Sequence, residues 1–464
     1  MTASEDGRTP ARGQIEPDRT FAFFARSARA IESMNGRLAS LRHLIWTGVS
    51  KLPHRARWSF IDQALISGVN VLMGIILVRS LGLREFGVFS LASLVILFLS
   101  SFQVGITSAM MSLFDRRGSI DRSSYLAAVL LHQAVLSATL AGAITLAPAL
   151  FPQIVSVAPF DYRLVAGVLV AFQFQTLTRR FFYVTERPVH AFLCDLVAYG
   201  SRLAIIASLA VEGALTIERV WIVMVAADLA AALFLAPDFV RWNASWQEIK
   251  EVTRRHLGIA GWLVGNTMTY WFSESGFILL VVGTVLGPAQ LGEARAVQNL
   301  VSLANPLLLS LENFAPSAAT KSLLVGGPLA LLRYISGVSF LGAGAIFLMT
   351  VVLTLFVDPI SYFVYGQTFP DAAAIAAILG TCVALAYGTS VIYAGLRALQ
   401  RVRSTFFFQA AMGALCLVIA WPVAADWGVV GALSALLIAR VVLAGLFALS
   451  LRTHVRLATR EGAR

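Results

Sequence analysis

LGLREFG at residues 81 to 87 returns as LGPAQLG at residues 286 to 292, with Gly82 matched to Gly287 and Gly87 to Gly292 at a constant offset of 205. Each copy closes a long apolar run. A membrane-spanning helix needs about 20 mostly apolar residues. Working outward from the two copies gives twelve such runs, near 59–81, 86–114, 124–150, 162–178, 191–211, 219–240, 258–284, 292–315, 332–356, 372–395, 404–422 and 428–451. The copies follow the first and seventh runs, so each opens a set of six helices running in the same directions. That is a parallel repeat, with a pseudo-twofold axis along the membrane normal. The expected architecture is an all-α polytopic membrane protein of twelve transmembrane helices in two six-helix lobes, 58–240 and 258–452. A linker at 241–257 joins the lobes, and tails lie at 1–57 and 453–464.

Composition excludes a soluble chain: 58% of residues are hydrophobic, 13% are charged and the mean hydropathy is +0.77, where soluble domains carry about 25% charged residues. Cys194, Cys382 and Cys416 all fall inside apolar runs without metal-ligand or redox spacing, and read as small core residues. Residues 1–57 are polar and basic and contain no signal-like apolar run. The net charge of +11 is explained by topology rather than by nucleic acid. The tails and the even-numbered junctions hold 29 of the 36 Lys and Arg residues, and positively charged loops stay cytoplasmic. Both termini are therefore expected in the cytoplasm. Arg79, Arg84, Arg163, Arg219 and Arg295 fall to the opposite side, and Arg202 and Arg440 lie within helices. In the N-terminal tail, Phe24, Ile31, Leu38, Leu41 and Ile45 form an apolar stripe among arginines, suited to lying on the anionic leaflet; a disordered basic leader is the alternative.

Polar groups inside a membrane are costly, about 2.5–3.5 kcal/mol for a charge on insertion scales, so each needs a partner, a wet cavity or a function. On helix 7, Asn266, Tyr270 and Glu274 recur every four residues and share one face. Asp62 and Asn70 on helix 1 have the same separation of eight, and an offset of 204 superposes them on Asn266 and Glu274. These groups are candidate cavity-lining residues; interhelical hydrogen bonding is the competing reading. Helix 8 carries Asn299, Ser302, Asn305, Pro306 and Asn313, with the proline able to break the helix near its middle. Arg202 and Arg440 are mid-membrane guanidiniums suited to holding a phosphate. Ion pairing with Asp228 or Asp195 is the alternative for Arg202. Glu274 and Asp62 are the candidate coupling carboxylates, with H+ or Na+ as the coupling ion. His132, alone in an apolar helix, reads as a packing residue.

No catalytic constellation is visible: there is no phosphate-cradling glycine loop followed by Lys, no His and Cys ligand spacing for a metal, and no outer loop long enough for a catalytic domain. Five segments together resemble the polysaccharide flippase branch of the multidrug/oligosaccharidyl-lipid/polysaccharide exporter superfamily, which includes the O-antigen flippases. They are LVRSLGLREFGVFSLA (77–92), RRFFYVTERPVHAF (179–192), FVYGQTFPDAAAIAAILG (363–380), LRALQRVRSTF (396–406) and DWGVVGALSALLIAR (426–440). The resemblance covers roughly 58–452 and leaves 1–57 without a counterpart. It implies a transporter of the bacterial inner membrane that moves an undecaprenyl-pyrophosphate-linked oligosaccharide outward for lipopolysaccharide or exopolysaccharide assembly. Its implied partners are the lipid-linked saccharide, membrane lipids and other polysaccharide-assembly proteins, with no cofactor. A cation-coupled multidrug antiporter of the same superfamily is the first alternative, a membrane polymerase or glycosyltransferase the second and a non-transporting scaffold the last. Cavity charge separates the two transporters, because a basic cavity suits pyrophosphate and an acidic one suits cationic drugs.

Overall fold

The computed structural model describes residues 54–116, 118, 120–235, 245–302, 305–401 and 403–461, with the side chains of 54–56, 305–314, 317, 403 and 461 outside the description. The amphipathic stretch at 20–46 lies outside the described residues. Among the described residues the chain is helical throughout, without strands. The helices are α1 (His54–Ser100), α2 (Val104–Leu113), α3 (Arg122–Leu150), α4 (Tyr162–Val184), α5 (Pro188–Asp195), α6 (Ser201–Val211) and α7 (Ile217–Ala232). They continue with α8 (Trp246–Phe272), α9 (Ser275–Val285), α10 (Pro288–Val301), α11 (Asn305–Leu355), α12 (Val357–Tyr365), α13 (Ala372–Ala398) and α14 (Arg403–Glu461).

Among the described residues six helices are long and apolar enough to cross a membrane, or seven when the bent pair α8–α9 counts as one span. This is fewer than the twelve runs in the sequence, partly because three of these spans are interrupted within themselves. α1 contains 47 residues, about 70 Å at 1.5 Å per residue, against a hydrocarbon core of about 30 Å. It breaks at Gly82; α11 and α14 break at Gly327 and Gly428, each with positive φ. Some of the other runs form helices shorter than a span, and some carry buried polar groups. α4, for example, contributes Gln173 to a buried network in which Gln103 donates to Gln133 at 2.9 Å and to the Gln173 carbonyl at 2.6 Å, while Ser137 donates to Gln173 Oε1 at 2.6 Å. Such networks hold helices together where apolar lipid supplies no association force.

The repeated heptapeptide has a common backbone form. Gly82 adopts φ 83° and ψ 171°, and Gly287 adopts φ 94° and ψ 172°, a region open almost solely to glycine. The second glycines of the two copies make close approaches. A Cβ on Gly87 would collide with the carbonyl oxygen of Pro288, and one on Gly292 with that of Leu83. At the same end, Arg79 donates from Nε to the Val364 carbonyl at 2.7 Å and also reaches the Phe363 carbonyl, tying α1 to α12. Gly87→Ala or Gly292→Ala is expected to overpack this crossing and cost about 1–3 kcal/mol or more. Thermal melting in detergent checks this against Gly142→Ala, whose added methyl meets nothing. Equal melting of all three variants contradicts the close approach.

A continuous core lies between the two halves of the chain, with Leu77, Leu91, Leu169, Trp221, Phe277, Leu279, Leu291, Val297, Ile375 and Leu433 all buried in one cluster. His132 is not isolated: its Nε2 lies 2.7 Å from Thr253 Oγ1 and its ring 5.6 Å from that of His256, which in turn bonds Tyr125 at 2.8 Å. The three cysteines are buried and unpaired.

Candidate functional site

A cavity of about 510 Å³ lies among α1, α4, α6–α10, α13 and α14, and among the described residues three guanidiniums, Arg202, Arg295 and Arg440, line it together with one carboxylate, Glu274. Local irregularities in the helices place several of these groups. Between α5 and α6 the residues Leu196–Gly200 form a π-helical turn, a widening that recurs at functional sites. It sets Tyr199 and Arg202 on the cavity wall, with the Arg202 guanidinium 4.8 Å over the Tyr199 ring. α8 ends at Phe272, where Ser273 Oγ turns back to the Tyr270 carbonyl at 2.9 Å, and the axis bends by 61° into α9. Glu274 sits in the break with an extended backbone, φ −104° and ψ 160°. Glu274 therefore does not continue a helical stripe with Asn266 and Tyr270, as the four-residue spacing suggested. The chain turns before reaching it, and the turn itself delivers the carboxylate to the cavity.

Arg202 forms a buried ion pair with Asp228, one of the two carboxylates the sequence offered, and Arg440 pairs with Glu274, the sequence having offered Arg440 no partner on its own helix. Arg295 differs from both. Its Nη1 donates to Gln298 Oε1 at 2.5 Å, its buried Nε has no acceptor, and no carboxylate pairs with it among the described residues. Sequence reasoning placed Arg295 at the outer boundary. The structure starts α10 at Pro288, which carries Arg295 two turns inward to the cavity wall. The missed signal was the spacing of Arg295, Gln298, Asn299 and Ser302, which share one helix face and all line the cavity.

Asn70, Tyr270 and Asn299 also line the cavity, whereas Asn266 lines an adjoining pocket that shares Tyr270 and Arg440 with it. The side chain of Asn305 lies outside the described residues. Asp62 is not brought to the cavity. It is fully buried, accepting from Arg179 Nη2 and from the Tyr183 hydroxyl, both at 2.7 Å. Arg179 also pairs through Nε with Asp195 at 2.5 Å. Its place in the RRFF stretch after the fourth apolar run suggested a loop, but α4 extends to Val184 and leaves its side chain only 16% exposed. Two carboxylates thus share one guanidinium inside the bundle.

No sequence family matches the chain, and no curated protein matches it in sequence. Its structure resembles an inward-facing multidrug resistance MATE family transporter of the MOP superfamily, with a TM-score of 0.64 and 14% identity over 84% of this chain and 95% of that one. It also resembles the lipid II flippase MurJ in an inward closed conformation, with a TM-score of 0.60 and 10% identity over 86% and 87% of the two chains. A MATE protein in the straight conformation gives 0.57 and 13% over 86% and 94%. The fold is that of these multi-pass membrane transporters.

Proposed function

We propose that this protein flips a polyprenyl-pyrophosphate-linked oligosaccharide, carried on undecaprenol, from the cytoplasmic to the outer leaflet of a bacterial inner membrane. The carrying observation is the charge of the central cavity, where among the described residues three guanidiniums line the wall, Arg202 paired with Asp228, Arg440 paired with Glu274 and Arg295 left in excess. A pyrophosphate needs fixed cationic donors, and a guanidinium offers a planar fork that keeps its proton. Arg295, free of any described carboxylate, would meet the pyrophosphate first. Arg202 and Arg440 would add to the field, and Asn70, Asn299 and Tyr270 would offer hydrogen bonds to the bound headgroup.

Two six-helix lobes related by a pseudo-twofold axis are the architecture that goes with this reading. The matched backbone of Gly82 and Gly287 supports it, as do the contacts at the crossing. Under the offset of 205, Gly87 against Pro288 exchanges with Gly292 against Leu83, so the contact is self-complementary in the sense of a twofold interface. With both termini cytoplasmic, the crossing and the Arg79 tie would close the outer side while substrate enters from within. Alternating access then means opening that end while the inner end closes.

Coupling to H+ or Na+ would fall to Glu274, which faces the cavity, rather than to Asp62, which Arg179 and Tyr183 hold. The cation-coupled antiporter reading rests on the same Glu274, but its carboxylate already answers to Arg440. Deleting the gene tests the function. Loss of surface polysaccharide with intact lipid-linked repeat units accumulating on the cytoplasmic face is expected, whereas unchanged polysaccharide with new sensitivity to cationic drugs points to the antiporter.

A further inference from the structure

A pocket of about 840 Å³ opens between α8, α13 and α14 and meets the central cavity at Tyr270, Ala386 and Arg440. We propose that this pocket receives the saccharide part of the substrate, next to the pyrophosphate held in the central cavity; the inference rests on the function proposed above.

The lining alternates flat aromatic rings with groups that both donate and accept hydrogen bonds. On α8, Trp262, Asn266 and Tyr270 follow one another at four-residue spacing, so an amide sits between two rings on one helix face. Trp262 and Tyr270 are 67% and 52% exposed, and both line the pocket. The Trp262 ring lies 4.9 Å from that of Phe406, which extends the aromatic wall onto α14. The Asn266 side chain makes no hydrogen bond among the described residues and is exposed, while Gln409 donates to Ser273 Oγ at 3.2 Å.

A sugar ring matches this lining on both counts. Its C–H face is apolar and its edge carries hydroxyls that donate and accept, as an amide does. The faces of Trp and Tyr are negative and broad, with polar tips, suited to lying against a C–H face. A polyprenyl chain has no polar atom with which to answer Asn266 or Gln409, and unanswered polar groups at membrane depth are costly. The volume lies within the range of small-ligand pockets, about 300–1,000 Å³. The shared arginine fixes the order of the parts, because a saccharide joined to a pyrophosphate at Arg440 enters this pocket directly.

The test compares two natural probes in detergent: the lipid-linked oligosaccharide pool extracted from cells lacking the gene, and undecaprenyl pyrophosphate, which has the same tail and headgroup without sugar. Binding of each is measured for the wild type, Trp262→Ala and Asn266→Ala. The expected result is about a tenfold loss of affinity for the sugar-bearing probe in each variant, with unchanged affinity for undecaprenyl pyrophosphate, which also reports that the variants are folded. Equal weakening of both probes would assign the pocket to the lipid chain and overturn the inference. So would variants that bind both probes as the wild type does. A wild type that binds neither probe sinks the proposed function itself, and the saccharide site with it.

Discussion

Arg295→Ala is expected to cut polysaccharide export about ten- to hundredfold while the protein remains at its normal level in the membrane. Arg295 has no described ion-pair partner, so its removal strands no buried carboxylate and leaves Gln298 able to bond Ser275, 3.2 Å away. What is lost is a charge-assisted contact to the substrate, worth about 1.5–3 kcal/mol, which weakens binding about ten- to hundredfold. Arg295→Lys keeps the charge but not the planar fork, and is expected to fall between the wild type and Arg295→Ala. Membrane abundance by immunoblot and export by polysaccharide yield check both variants. Normal export by Arg295→Ala removes the arginine from the substrate path.

Arg179→Ala should have the opposite signature, with the protein lost from the membrane. Asp62 and Asp195 are both fully buried, and Arg179 serves both, at 2.7 and 2.5 Å. Removing the partner of a buried ion pair costs about 3–5 kcal/mol because the remaining charge is uncompensated, and here two charges remain. Asp62→Asn with Asp195→Asn in the Arg179→Ala background is expected to restore abundance, because neutral amides need no counter-charge and Tyr183 and Gln175 still offer hydrogen bonds. Pulse-chase decay and thermal melting measure this. If Arg179→Ala accumulates normally, the shared guanidinium is not what holds α1, α4 and α5 together.

The membrane class and the shared backbone form of Gly82 and Gly287 were legible because each is written in local chemistry. Apolar length marks a helix that water cannot solvate, and Gly82 and Gly287 mark a backbone form that other residues resist. Arg202 and Arg440 were legible as intramembrane charges for the same reason, being out of place in any apolar run. Arg295 was not, because the apolar run begins only at 292 and leaves Arg295 near its end, whereas the polar first turn from Pro288 already belongs to the helix. Glu274 was recognised, but its setting was mistaken. Four-residue spacing assumes a continuous helix, and the break after Phe272 depends on tertiary packing that brings α9 across at 61°. Asp62 was assigned to the cavity because its spacing to Asn70 matches that of Asn266 to Glu274, yet spacing along one helix does not say which neighbour faces it. Arg179, read as a loop residue, was the neighbour that decided the matter.

Movement of a pyrophosphate-linked saccharide through the cavity is measured by reconstitution. Purified protein in liposomes with lipid-linked oligosaccharide in one leaflet is followed by the access of a membrane-impermeant oxidant to the sugar. The expected result is that the protein carries this pool to the leaflet the oxidant reaches, that Arg295→Ala slows the transfer about ten- to hundredfold, and that the cationic dye ethidium is not moved under a proton or sodium gradient. Gradient-driven movement of ethidium, with the lipid-linked sugar left in its original leaflet, would contradict it.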